Sequence, residues 1–95
     1  MENPEERLRN IRKEIDEIDE KLVYLISKRI EYGKEIAYLK MELNCPIKDE
    51  KREKEIKDRI YKLCERYNLD FEVVWSVIKI LIDYNKRVQR EVLKK

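Results

Sequence analysis

Six polar side chains in this sequence fall on or beside the apolar faces of predicted helices. They are Arg29, Lys40, Arg52, Glu53, Asn85 and Gln89. The guanidinium group of arginine binds a carboxylate through two parallel hydrogen bonds, so inward arginines suit a carboxylate ligand. A buried charge without a partner costs several kcal/mol, and Glu53 is the one obvious anion on these faces. The set therefore predicts a pocket, inside a bundle of helices, for a small anion with more than one carboxylate.

Each of these residues also has a purely structural explanation. A single arginine in a helical seam, such as Arg29, can fix the register of two paired helices. Lys40 lies at the edge of the same stripe, as Arg12 does, and can extend its ammonium group to water. An inward Asn or Gln is often a hydrogen-bonded core amide. The combination of cations and amides, rather than any one of them, favours a ligand.

Histidine is absent from the chain. Its absence excludes a histidine general base, a Ser–His or Cys–His nucleophile and most zinc sites. The sequence also contains no GxGxxG or GxxxxGK[ST] phosphate-binding loop. If the protein is an enzyme, its reaction should need no proton shuttle near neutral pH, and we expect no metal and no cofactor.

Charge and hydropathy limit the remaining classes of protein. The 23 Lys and Arg residues nearly balance 21 Asp and Glu residues, and this balance argues against a nucleic-acid partner. No apolar run approaches the ~18 residues needed to span a membrane. The first ten residues are polar and lack the apolar core of a signal peptide. We therefore expect a cytoplasmic protein in which Cys45 and Cys64 are reduced thiols.

The longest predicted element is a helix of about 40 residues with a heptad pattern. One heptad position holds Leu8, Ile15, Leu22, Arg29, Ile36 and Leu43, and the other holds Ile11, Ile18, Leu25, Tyr32 and Leu39. Such a helix is about 60 Å long, whereas a compact domain of this size is about 30 Å across. Half of the stripe would lie in water in a monomer. We therefore predict an obligate, intertwined homodimer with long helices paired across a two-fold axis.

Two shorter helices complete the predicted fold. The second begins after the N-cap residue Asp49 and ends near Arg66, and the third follows the N-cap residue Asp70. The apolar stripe of the second helix is predicted to be Ile56, Ile60, Leu63 and Tyr67. No strand-like alternation appears. The prediction is an all-α fold with three helices per chain, in a single domain of residues 1–95.

Four segments carry a resemblance to a known family. They are IRKEIDEIDEKLVYLISKR (11–29), the Lys40 region, PIKDEKREKEI (46–56) and IDYNKRVQ (82–89). With these residues in this order, the chain resembles the all-α chorismate mutases, which form intertwined helical dimers. The resemblance covers roughly residues 6 to 93, and it implies rearrangement of chorismate to prephenate.

The resemblance implies contacts to the substrate's carboxylates and its ether oxygen. Arg29 matches an arginine that binds a substrate carboxylate. Arg12 matches an arginine that reaches across from the other subunit to do the same. Lys40 matches the lysine that contacts the ether oxygen and a carboxylate, and Gln89 matches the side chain on the other side of that oxygen.

The resemblance also implies contacts to the ring hydroxyl and the pocket wall. Glu53 matches the carboxylate that accepts a hydrogen bond from the hydroxyl, and Asp49 lies at the backbone that also holds it. Arg52 matches a further arginine of the wall. Asn85 stands where relatives can carry a serine near a carboxylate, and Gly33 stands where a small residue such as alanine is expected.

Three other functions remain open at the level of sequence. The same fold can serve elimination of pyruvate from isochorismate, because both substrates are dicarboxylates with an enolpyruvyl ether. The heptads fit a non-catalytic helical dimer, acting as an interaction or regulatory module, equally well. A mutase that needs a partner enzyme for its full rate is the third alternative.

Overall fold

The computed structural model describes residues 3–94 as three α helices. Helix α1 spans Pro4–Glu42, α2 spans Glu50–Tyr67 and α3 spans Phe71–Leu93. No strand occurs among the described residues. The predicted all-α class with one very long helix is therefore confirmed.

Each helix begins at a side-chain cap that the sequence provides. Asn3, Asp49 and Asp70 accept hydrogen bonds from backbone N–H groups of the first helical turns, and those groups have no partner within the helix. The helix ends are also set locally. Asn44 and Asn68 adopt left-handed backbone conformations just after α1 and α2, which asparagine tolerates better than most residues. Because of this turn α1 ends at Glu42, two residues before Asn44.

Helix α3 packs against both other helices. The core between α2 and α3 contains Ile56, Ile60, Cys64 and Ile82. The prediction that Tyr67 shares the buried stripe of α2 is wrong, since its side chain is 65% exposed. Cys64 takes the position one turn after Ile60, whereas Tyr67 is the last residue of α2.

The first half of α1 extends beyond this core. The molecule measures 61 × 30 × 15 Å, and its long dimension matches the ~58 Å expected for a 39-residue helix. Five residues of the apolar stripe are about half exposed: Leu8, Ile15, Ile18, Leu22 and Leu25. This confirms the prediction that α1 is too long to fit within a compact domain of one chain. Within residues 3–94, none of the helices has the length and apolar content that crossing a membrane requires.

Candidate active site

A cavity of about 360 Å³ opens where the second half of α1 faces the start of α2 and the end of α3. Seven of the eight predicted site residues line it: Arg29, Lys40, Asp49, Arg52, Glu53, Asn85 and Gln89. They come from three separate helices and from the loop before α2. The fold therefore brings together side chains that are as much as 60 positions apart in the sequence.

Arg12 is the predicted site residue that does not line this cavity. It is exposed on the first half of α1. Arg29 follows on the same straight helix about 25 Å further along, at ~1.5 Å per residue. Within one chain Arg12 therefore cannot reach the cavity. The resemblance had assigned this arginine to the site of a second subunit.

The cavity carries an excess of positive charge. Four cations line it, namely Arg29, Lys40, Arg52 and Lys86, against the carboxylates of Asp49 and Glu53.

Arg29 is the cation with the least local compensation. Burial lowers its pKa from the ordinary value, and the nearby Arg59 and Arg52 add to that effect. No carboxylate among residues 3–94 forms a salt bridge with it. An anion beside Arg29 would relieve this repulsion, because opposite charges at short range stabilise each other.

A chain of hydrogen bonds fixes the positions of Lys40 and Gln89. Lys40 Nζ donates to the Ile47 carbonyl oxygen at 2.6 Å and to Gln89 Oε1 at 3.2 Å. Gln89 Nε2 donates to Asn85 Oδ1 at 3.1 Å, and Asn85 Nδ2 donates to the Arg29 carbonyl oxygen at 3.2 Å. Gln89 is only 5% exposed. A half-buried cation and a buried neutral amide are thus held side by side at the cavity wall.

Gly33 leaves space for this chain of hydrogen bonds. A Cβ atom at position 33 would contact the Asn85 Oδ1 atom and would lie 2.7 Å from its Cγ. These contacts are closer than real side chains adopt, so any larger residue would displace the Asn85 amide. The glycine in the middle of α1 therefore has a packing reason, which the sequence did not reveal.

The two carboxylates of the cavity are held in different ways. Asp49 Oδ1 accepts the backbone N–H of Arg52 at 3.0 Å and so caps α2. Glu53 Oε1 accepts hydrogen bonds from Lys79 and Lys86 at 3.0 and 3.2 Å. The hydrogen bond from Lys79, together with Lys86 and the charges of both lysines, lowers the pKa of Glu53 despite partial burial. Glu53 is therefore an ionised acceptor near neutral pH.

Sequence reasoning missed several residues of the cavity. They are Tyr32, Ile36, Ile47, Ile56, Ile82 and Lys86, and of these Lys86 carries charge. Its helical position was a usable signal, because it lies four residues after the buried Ile82 and three before the buried Gln89. The same spacing that pointed to Asn85 and Gln89 thus also indicates Lys86.

Comparison with known proteins identifies the family of this chain. Residues 11–90 match the family described as chorismate mutase type II. The chain belongs to the chorismate mutase type II family. The match spans most of the chain and includes every predicted site residue, and the resemblance read from the sequence is confirmed.

Individual members of the family are similar over most of this chain. A chorismate mutase from Methanocaldococcus jannaschii is 46% identical over 88 residues, which are 93% of this chain and 89% of that protein. A bifunctional chorismate mutase/prephenate dehydratase from Buchnera aphidicola is 34% identical over 84 residues, which are 88% of this chain and 22% of that protein. The chain thus spans less than a quarter of that bifunctional relative.

A solved structure shows the same fold. A conserved hypothetical protein from Pyrococcus furiosus superposes with a TM-score of 0.68 at 35% sequence identity, covering 87% of this chain and 95% of that one. The three-helix arrangement is therefore shared with a structure of related sequence.

Proposed function

We propose that this protein is a chorismate mutase that rearranges chorismate to prephenate in the cavity lined by Lys40 and Gln89. The observation that carries the proposal is the pairing of these two side chains, 3.2 Å apart, in a cavity with more cations than carboxylates. Membership of the chorismate mutase type II family supports the same reaction.

The reaction explains why the site needs no proton shuttle. Chorismate rearranges within one molecule: one C–O bond breaks while one C–C bond forms, and no nucleophile is required. The substrate carries two carboxylates, and its charge matches the positive excess of the cavity. The absence of histidine from the sequence is compatible with such a reaction.

Lys40 and Gln89 stabilise the charge that develops as the bond breaks. The ether oxygen gains negative charge, and both side chains donate hydrogen bonds to it. Lys40 Nζ has three N–H groups, of which two already hold it in place, and Gln89 Nε2 has a second N–H beside the one given to Asn85. Donors that are fixed before the reaction, in a site shielded from water, typically contribute ~3 kcal/mol each.

Arginine binds the substrate carboxylates and folds the molecule for reaction. Arg29 binds one of them, and Arg52 contributes charge from the start of α2. Holding a flexible dianion in its reactive conformer can supply several kcal/mol of the barrier reduction. Asn85 uses both polar atoms of its amide within the protein, so its proposed main role is to orient Gln89.

The ring hydroxyl is held at the start of α2. Glu53 accepts a hydrogen bond from it as an ionised carboxylate, and the backbone at Asp49 supplies the second contact. The Asp49 side chain remains the cap of α2.

The site is completed by a second copy of the chain. The exposed apolar stripe of α1 is covered when two long helices pair across a two-fold axis. Arg12 lies on this part of α1, so pairing carries it to the partner's cavity. We propose an intertwined homodimer with Arg12 contributed across the interface.

The proposed setting is a single domain of residues 1–95 in the cytoplasm. Both cysteines are free thiols, Cys45 exposed and Cys64 buried, which suits a reducing compartment.

The test is product identification with purified protein. Chorismate and isochorismate are supplied separately, and the products are identified by NMR. We expect prephenate from chorismate. Salicylate and pyruvate from isochorismate with no prephenate from chorismate would show that the protein is a lyase instead, and no product from either would favour a non-catalytic module.

Gly33→Ala is expected to lower kcat for chorismate by about 3-fold to 10-fold. The added Cβ displaces the Asn85 amide, and Gln89 loses a neutral hydrogen bond worth ~1 kcal/mol. Steady-state kinetics measure the change. The double variant Gly33→Ala/Asn85→Ser is the matched control, because the shorter side chain removes the clash and should recover part of the loss. An unchanged kcat in Gly33→Ala would contradict this role for the glycine.

A further inference from the structure

Two lysines of α3 converge on one oxygen atom of Glu53. Lys79 Nζ and Lys86 Nζ lie 3.0 and 3.2 Å from Glu53 Oε1. Both lysines also contact Asp83 Oδ1, at 3.3 and 3.5 Å. Glu53 Oε2 accepts no hydrogen bond from residues 3–94. One oxygen is thus fixed by the protein, and the other is left as an acceptor.

The two lysines differ in their surroundings. The Lys79 side chain is 44% exposed, whereas that of Lys86 is 15% exposed. Lys86 lines the cavity and Lys79 does not. Ion pairs exposed to water contribute little because solvent screens them and the side chains remain mobile. The contact from Lys86 is therefore the one expected to fix the carboxylate.

We propose that Lys86 is a positioning residue, which holds Glu53 so that its second oxygen accepts the ring hydroxyl of the substrate. This inference rests on the proposed chorismate mutase function. Lys86 acts through Glu53 rather than on the reacting atoms. It also balances the Glu53 charge inside the cavity, since a partly buried carboxylate without a cation is costly.

Other charged groups face the same region from all three helices. They are Asp83 on α3, Asp49 and Arg52 at the start of α2, and Arg29 and Lys40 on α1. None of these groups forms a salt bridge with Glu53. Within residues 3–94, its salt bridges are those with Lys79 and Lys86. The lowered pKa of Glu53, caused by Lys79 first and by Lys86, agrees with a carboxylate that stays ionised.

The first test compares three single variants by steady-state kinetics with chorismate. Lys86→Met should lower kcat/KM by about 10-fold to 100-fold, because a charge-assisted hydrogen bond in the cavity is lost. Lys79→Met, which removes a contact to the same oxygen from the solvent side, should cost less than about 5-fold. Lys86→Arg should recover most of the loss, since arginine restores the cation. Equal losses in Lys86→Met and Lys79→Met would overturn the assignment to Lys86.

The second test asks whether Lys86 acts through Glu53. In a Glu53→Gln background, Lys86→Met should change kcat/KM by less than about 2-fold, because residues that share one interaction are not additive. A loss as large as in the parent would show that Lys86 acts independently of Glu53, and the proposal would fail.

The third measurement does not depend on turnover. A ¹³C NMR titration of the Glu53 carboxyl group should show its pKa rising in Lys86→Met, because a cation in contact with the carboxylate is removed. The same pKa in Lys86→Met as in the parent would overturn the inference. If the parent fails to convert chorismate, the proposed function fails, while this titration still decides whether Lys86 holds Glu53.

Discussion

Lys40→Ala should reduce kcat for chorismate by about 10²-fold to 10³-fold and leave the fold intact. Lys40 Nζ is held between the Ile47 carbonyl oxygen and Gln89 Oε1, and in the proposed mechanism it donates to the substrate's ether oxygen. Alanine removes the cation and leaves Gln89 as the only donor to that oxygen. The effect should fall on kcat more than on binding, because the charge develops only in the transition state. Steady-state kinetics measure kcat and KM separately.

A matched control for this variant is Lys34→Ala. Lys34 is an exposed lysine of the same helix and does not line the cavity. It should change kcat by less than about 2-fold, as surface substitutions usually change the free energy by under ~0.5 kcal/mol. Circular dichroism and thermal unfolding of both variants test whether the fold is kept. A kcat of Lys40→Ala within a few fold of the parent would contradict the role of this lysine.

Leu22→Lys should dissociate the proposed dimer and abolish turnover. Leu22 is 52% exposed in a single chain and lies on the apolar stripe of α1. Pairing would bury it, and a lysine there places a charge in each half of the interface, at a cost of several kcal/mol per buried charge. The separated chains would lack Arg12 in the cavity and should be inactive. Light scattering measures the mass of the protein in solution, and chorismate turnover is measured on the same samples.

Glu20→Lys provides the control for the interface. It introduces the same residue two positions away, on the exposed polar side of α1. We expect a dimer with turnover close to that of the parent. A Leu22→Lys variant that remains a fully active dimer would contradict the proposed pairing, and an active monomer would show that the cavity is complete without a second copy.

Periodicity was sufficient to predict the long helix and the residues that break its stripe. The heptad pattern runs from Leu8 to Leu43 and predicts a helix close in length to the 39 residues of α1, which is longer than a compact domain is wide. Arg29 was visible because it interrupts that pattern. The caps Asp49 and Asp70 were visible because a helix start needs an acceptor for its free N–H groups.

Features that depend on packing between helices could not be predicted in the same way. Gly33 appeared only as a position where a small residue is expected, and the reason for a glycine lies in Asn85, which is 52 positions away in the sequence. Tyr67 was assigned to the buried stripe of α2, yet the end of that helix leaves it exposed and Cys64 takes the place. Periodicity locates the apolar face of a helix but does not show how far along that face the packing extends.

Lys86 shows a different limit of sequence reasoning. Lysine is common on exposed helix faces, so the spacing of Lys86 from Ile82 and Gln89 indicates an inward position but not a partner. The partner is shown by the contact of its ammonium group with Glu53, at 3.2 Å and largely shielded from solvent. A sequence pattern specifies residue types. The proposed role of Lys86 depends instead on which oxygen atom its ammonium group contacts.

In the proposed dimer, one active site uses Lys40 of one chain and Arg12 of its partner. The decisive measurement is the rate of chorismate turnover by two variants, Arg12→Ala and Lys40→Ala. Each variant is assayed alone, and then a mixture is assayed in which equal amounts of both have been unfolded and refolded together. Each variant alone should have very low activity. The mixture should recover about a quarter of the parent activity, since half of the dimers are mixed and each mixed dimer holds one intact site. Activity of the mixture no higher than the average of the two variants would contradict the shared site.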